Sequence, residues 1–258
     1  MVFKMHIHHH QTIENLHQHF AQNGDYLAFI VVGSVARGEA GRDSDLDFYL
    51  VVDDQLYADL LTKNAETIEA NRYCVPPCPE ANGYFTSNAE LRELRQRGSE
   101  IMRWTFHQAQ VVFSRDDEIN TLVKEIPLYP EDGRIHRMES YHSQIYYHFS
   151  FFEFAYYSQT KYLIYETATR MLLAAGRLIL ADNRRLYPTR KWFFRELERT
   201  PDKPTGLCEA MVAFLDAPSI ESGHKIIDLI EGYKQYPVPP EGMKARIAKE
   251  SVLNLEEW

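Results

Sequence analysis

The sequence predicts an α+β chain in which an N-terminal mixed α/β domain is followed by a C-terminal helical bundle. Two observations carry this. Apolar runs of strand length, at 26–32 and 46–52, alternate with segments of helical period in the first half. Beyond the cluster Pro127, Pro130 and Gly133 the alternation disappears and apolar residues recur at helical spacing alone. The predicted boundaries are 1–126 for the first domain, 127–133 for a linker and 134–258 for the helical domain.

Taken in order, Thr12 is a candidate cap for a helix that places Ile13, Leu16 and Phe20 on one face. Asn23-Gly24 stops it, and His6 to His10 before it reads as a frayed arm in preference to a transition-metal site built from imidazoles. Tyr26 to Val32 is almost continuously apolar, as a strand covered on both faces is. A glycine-containing loop leads to a second strand from Leu46 to Val52. Leu56, Leu60, Leu61, Ala65 and Ile68 then follow at helical spacing. Pro76, Pro77 and Pro79 argue against a central strand nearby, which leaves Tyr84-Phe85 as the strand portion of that segment. Asn88 is a candidate cap for a helix ending at Gly98, Gln110 to Phe113 reads as a strand, and Asp116 or Asp117 opens a helix to Ile126.

The second half carries eleven aromatic residues between positions 141 and 165, read as core in preference to a ring-stacking pocket. Ala168, Leu172, Ala175 and Ile179 mark one helix, and Pro188, Pro201, Pro204 and Pro218 punctuate others. A terminal helix is expected after Pro237, Pro239 and Pro240.

Composition narrows the function classes. A net charge of -9 disfavours stable nucleic-acid binding, which wants a basic face. No apolar run approaches the roughly 20 residues that span a bilayer, and residues 1–5 are too short and too polar for a secretory leader, so a soluble cytoplasmic protein is expected. Three cysteines make no disulfide framework, and Cys74 and Cys78 read as reduced thiols.

The chemistry concentrates between Gly33 and Asp47. Asp45 and Asp47 are two apart on a predicted strand, so both carboxylates share a face. Such a pair repels itself unless a cation sits between, and hard oxygens on a rigid strand suit Mg²⁺, with a two-metal arrangement in view. Gly33 and Ser34 fall where the first strand ends. There the backbone can approach a phosphate, the hydroxyl and amide of Ser34 can donate to it, and Arg37 adds positive charge nearby.

Gly33-Ser34, a spacer, then Asp45-Leu46-Asp47 resembles the signature of the DNA polymerase β-like nucleotidyltransferase superfamily. The Ala36-Arg37-Gly38 and Ser44-Asp45-Leu46-Asp47 context is similar to its small bacterial branch, which holds aminoglycoside and lincosamide nucleotidyltransferases and toxin–antitoxin adenylyltransferases. A looser likeness runs through 98–113 and 186–192. The resemblance implies transfer of a nucleoside monophosphate from an NTP, ATP being favoured, and the acceptor expected is a hydroxyl of a small molecule, with antibiotic-like compounds among the candidates. It implies that Gly33 and Ser34 hold the triphosphate and that Asp45 and Asp47 hold Mg²⁺, and Arg37 and Ser44 are further candidates for contact with the nucleotide. Acceptor sites in this group can lie between subunits, which leaves a homodimer open.

One expected part is missing. The family usually carries a third carboxylate on a later strand, and the resemblance matches that position to Asn82. An amide cannot take a proton at neutral pH. Glu80, two residues earlier, becomes the candidate base, with Glu153 and Glu166 of the helical domain as alternatives. Asn82 also keeps in view an impaired nucleotide-binding or antitoxin-like partner-binding module, and a protein adenylyltransferase stands as a separate alternative. Arg137 and His142 fit the short Arg-x4-His spacing of HEPN-type ribonucleases, in a chain of the wrong charge for RNA.

Overall fold

The computed structural model describes residues 5–253, and the readings of residues 1–4 and 254–258 lie outside them. The chain divides into two compact units, Met1–Leu128 and Tyr129–Trp258.

The first unit is built on a five-stranded mixed sheet. Its strands are β1 (Tyr26–Val32), β2 (Leu46–Val52), β3 (Thr67–Glu69), β4 (Ala81–Ser87) and β5 (Gln110–Ser114), in the order β3-β4-β2-β1-β5. β1 runs antiparallel to β2 and β5, and β4 runs parallel to β2. Strand alternation sorts the side chains into two cores. Phe29, Val31, Phe48 and Leu50 pack on one face against Ile13, Leu16 and Phe20 of α1 (Ile7–Phe20). Ala28, Ile30 and Val51 pack on the other against Leu91 of α4 (Asn88–Arg97) and Ile119 and Leu122 of α6 (Asp117–Glu125). Phe29 and Phe48 meet edge to face at 5.5 Å, each fully buried, a burial that contributes roughly 1.5–3 kcal/mol per ring.

Short elements fill the connections: α2 (Gly33–Ala36), α3 (Asp54–Thr62) and α5 (Glu100–Thr105). Arg103 of α5 is buried. It donates to the carbonyls of Gly98 at 3.0 Å, Arg95 at 2.6 Å and Ile126 at 3.1 Å, and so ties the end of α4 to the end of α6.

Four sequence expectations are corrected here. The first helix begins at Ile7, not Thr12. Thr12 lies buried inside it, with its hydroxyl accepting the Val75 amide at 2.9 Å, and His8 to His10 belong to the helix. The helical spacing from Leu56 to Ile68 breaks at Asn64, whose φ of 49° is left-handed. Ile68 lies on β3, and no residue of α3 is buried. β4 starts at Ala81 and is an interior strand, because Pro79 precedes the first paired residue and costs the ladder nothing. Ser87, not Asn88, caps α4, accepting the Glu90 amide at 3.3 Å.

The second unit is helical: α7 (Arg134–Tyr157), α8 (Lys161–Asp182), α9 (Phe193–Glu198), α10 (Leu207–Asp216), α11 (Ile220–Tyr233) and α12 (Met243–Leu253). Tyr141, Phe149 and Phe152 of α7 pack in one core with Leu172 and Ile179 of α8 and Phe214 of α10. The aromatic segment is only partly core: Phe151, Phe154, Tyr157, Tyr162 and Tyr165 are exposed. Among the described residues no helix is long and apolar enough to cross a membrane.

His148 is buried in α7, and that burial, with Arg170 nearby, pushes its imidazole down to about 4. The unfolded chain, with the ordinary value of 6.5, binds more protons in that window, so stability falls as pH drops from 6.5 towards 4. Denaturant unfolding of the wild type should lose roughly 2–3 kcal/mol more between pH 7 and pH 4.5 than unfolding of His148→Leu. Parallel losses in the two proteins would show that this imidazole is not the acid-sensitive group.

Candidate functional site

The segment singled out in the sequence closes on itself at one end of the sheet. β1 ends at Val32, whose register partner on β2 is Asp47. Gly33 then turns the chain into α2 with a φ of 73°, a conformation L side chains rarely adopt. A Cβ at this position would lie 2.5 Å from Oδ2 of Asp47, so the absence of a side chain lets the end of β1 come against that carboxylate. Ser34 follows, half-buried, on the same turn.

Asp45 precedes β2 and is exposed, whereas Asp47, within the strand, is half-buried. The loop before them is closed by Ser44, whose hydroxyl accepts the Gly41 amide at 2.9 Å while its own amide reaches the Gly41 carbonyl at 3.3 Å. Two imidazoles reach the loop from α1: Nε2 of His8 lies 2.9 Å from the Arg42 carbonyl, and Nε2 of His9 lies 2.9 Å from the Ser44 carbonyl. His9 is fully buried, which lowers its pKa from 6.5.

The other predicted residues fall as follows. Asn82 on β4 is the register partner of Asp47, so the two side chains share a face. Glu80 stands just before the strand, its carbonyl accepting the Leu46 amide at 2.9 Å and its Oε2 accepting Nδ2 of Asn82 at 3.2 Å. Glu80 and Asn82 therefore come together at the end of the sheet that carries Asp47, and Asp45 immediately precedes Leu46, whose amide the Glu80 carbonyl accepts. Arg37 is 5% exposed. Its guanidinium lies 3.9 Å from the Trp104 ring centroid, and its Nε donates to Glu39 at 3.1 Å, which places its charge inside the loop. Glu153 and Glu166 lie on α7 and α8 of the other unit, and Glu166 is ion-paired with Arg170.

Two features went unread in the sequence. Glu69 of β3 is the register partner of Asn82, so Val32, Asp47, Asn82 and Glu69 form one row across four strands. A three-residue edge strand leaves almost no periodic signal. Beside the row a cavity of about 670 Å³ is lined by Asp47, Tyr49, Tyr84, Glu90, Arg97 and Phe106, among others. Tyr49 stacks on Phe106 at 5.2 Å, and burial, helped by Tyr84 and Asp47, pushes its phenol up to about 12. The ring is a neutral donor at physiological pH.

The remaining motifs resolve into packing. Arg137 and His142 stand five residues apart on α7, about 140° around the helix, and face different partners. Arg137 donates to the Asp132 carbonyl at 2.8 Å, while the His142 ring bridges the Pro237 carbonyl at 3.2 Å and Oε1 of Glu231 at 2.6 Å. Cys74 and Cys78 bring their sulfurs to 3.9 Å, and burial and the neighbouring thiol push Cys74 up to about 12. Among the described residues no group of three or more His, Cys, Asp or Glu is placed to hold a metal ion by itself.

Comparison with known proteins bears on the first unit. No curated protein matches the chain. A solved structure described as a nucleotidyltransferase-like protein, from Exiguobacterium sibiricum 255-15, is similar at 13% identity and a TM-score of 0.47, over 94% of this chain and 87% of that one. A family model described as a nucleotidyltransferase domain matches residues 13–129, the stretch that contains Gly33, Asp45, Asp47 and Asn82. That match supports a place for the N-terminal unit in the nucleotidyltransferase superfamily.

Proposed function

We propose that the protein is a metal-dependent nucleotidyltransferase that moves a nucleoside monophosphate from an NTP, ATP first among candidates, to a hydroxyl of a small molecule. The observation that carries the reading is the close approach of Gly33 to the Asp47 carboxylate, which joins the turn suited to phosphate and the strand suited to metal. The donor set fits Mg²⁺. Asp47 on β2 and Asp45 just before it offer hard oxygens, and Mg²⁺ needs only one or two carboxylates when phosphate and water oxygens complete its shell. When bound there, the metal would neutralise charge on the triphosphate and on the departing pyrophosphate.

The chain's own residues have separable tasks. The Gly33 backbone admits a phosphate close to the main chain, and the Ser34 hydroxyl donates to its oxygens. Ser44 and Arg37 act one step back: Ser44 closes the loop on Gly41, and Arg37 stiffens it through Trp104 and Glu39. Glu80 is the group to take the acceptor proton as the acceptor oxygen bonds to the α-phosphorus and pyrophosphate leaves. Asn82, where a carboxylate was expected, donates to Glu80 and so orients that base. The acidic net charge of -9 fits a small acceptor better than a nucleic acid.

The same amide favours a second reading, a module that binds a nucleotide without transferring it, since Asn82 faces Asp47 with no proton-accepting group of its own. Incubation with α-labelled NTPs and panels of amino sugars, lincosamides and candidate proteins separates the two. Label transfer that depends on Glu80 excludes the inactive module, and nucleotide binding with no transfer to any acceptor supports it.

Two expected outcomes follow for binding. Asp45→Asn with Asp47→Asn should weaken Mg²⁺-dependent ATP binding by at least about 100-fold in calorimetry, more than loss of an outer-shell group costs. Binding that is equal with Mg²⁺ and with chelator would remove the site assignment. Gly33→Ala should cost about 1–3 kcal/mol of stability through its backbone and also weaken Mg²⁺-ATP by at least about 10-fold. Gly206→Ala, at a φ of 79° with open space around it, is the control that should lose stability alone. Equal ATP affinity in both variants would contradict the Gly33–Asp47 packing argument.

A further inference from the structure

The proposed function leaves the histidine-rich start of α1 unused, yet its rings are engaged. A carbonyl oxygen only accepts, so His8 donates from Nε2 to Arg42 and His9 from Nε2 to Ser44, each at 2.9 Å. The His9 ring is fully buried, whereas Gly41, Arg42, Asp43 and Asp45 are exposed and draw little from core packing. The Ser44 carbonyl belongs to the peptide unit that carries the Asp45 amide and leads to its Cα. One residue further on, the Leu46 amide is fixed to the Glu80 carbonyl at 2.9 Å. The backbone of Asp45 is thus pinned on both sides, by an imidazole before it and by the sheet ladder after it.

We infer that His9, supported by His8, is a positioning residue that holds the loop before Asp45 so that its carboxylate stands ready beside Asp47. The inference rests on the reading of Asp45 and Asp47 as metal ligands. Its physical basis is the cost of ordering: a loop residue free to swing would have to be immobilised on each binding event, and a clamp built into the fold removes that cost. Each ring acts on the loop through the hydrogen bond that it donates from Nε2.

The test separates a donor from a space-filler. His9→Gln places an amide nitrogen close to the Nε2 position, while His9→Met fills similar volume with no donor. His8→Ala removes the outer bond from a less buried ring and guards against a His9 variant that does not fold. For the wild type and each variant, Mn²⁺ affinity is measured by electron paramagnetic resonance with a non-hydrolysable ATP analogue, and amide exchange is measured over residues 41–46. His9→Met should speed exchange in that loop and raise the Mn²⁺ dissociation constant about 10-fold or more, with His8→Ala smaller in the same direction and His9→Gln within about 3-fold of wild type. Unchanged exchange and affinity in His9→Met and His8→Ala would overturn the clamp. Faster exchange with unchanged affinity would overturn its link to Asp45. Wild-type protein that binds no Mn²⁺, or binds it equally after Asp45→Asn with Asp47→Asn, would instead remove the metal-site reading, and the positioning role with it.

Discussion

The contact between Gly33 and Asp47 is the constraint on which the rest of the site depends. Antiparallel pairing of β1 and β2 puts Val32 opposite Asp47, so the residue after Val32 has to turn directly beside a carboxylate. A Cβ there would sit 2.5 Å from the acid oxygen, and the backbone is left-handed at the same residue. Only glycine meets both demands without strain. The sheet needs that turn to end β1, and the proposed chemistry needs it to bring phosphate to metal. One residue therefore links the packing of the fold to the proposed chemistry.

Around this contact, rigid elements act from several sides. Arg37 and Trp104 stiffen the turn after β1 from one side, and His8 and His9 of α1 hold the loop before β2 from the other. The parallel pairing of β4 with β2 places Asn82 opposite Asp47 and carries Glu80 to the same edge. A site supported by strand register and helix packing loses little entropy when it closes on a ligand, which suits the proposed reaction, one that relies on positioning and charge stabilisation. The helical unit has its own core, in which aromatic side chains of α7 meet apolar residues of α8, α10 and α11.

What was legible in the sequence followed locality. The strands 26–32 and 46–52, the glycine turn and the aspartate pair are written in contiguous residues whose period or spacing carries the signal, and the fold class followed from them. The failures were long-range. Thr12 offered a good cap, but the helix extends back to Ile7 because the rings of its first turn find carbonyls 34 and 35 residues away. Glu69 was hidden in a three-residue edge strand after a helix of similar apolar spacing, and its place opposite Asn82 follows from strand pairing alone. Arg37 was legible as a charge near the site, but not as one stacked on Trp104, a residue 67 positions on. The aromatic segment 141–165 has one composition throughout and reads as core, yet along α7 and α8 it divides into buried and exposed rings.

The most direct measurement is a crystal structure of the protein with Mg²⁺ and a non-hydrolysable ATP analogue. The account predicts Mg²⁺ at about 2.1 Å from carboxylate oxygens of Asp45 and Asp47, with the triphosphate over Gly33 and Ser34 and Glu80 still oriented by Asn82. A nucleotide bound elsewhere, or a metal held without these two carboxylates, would contradict it.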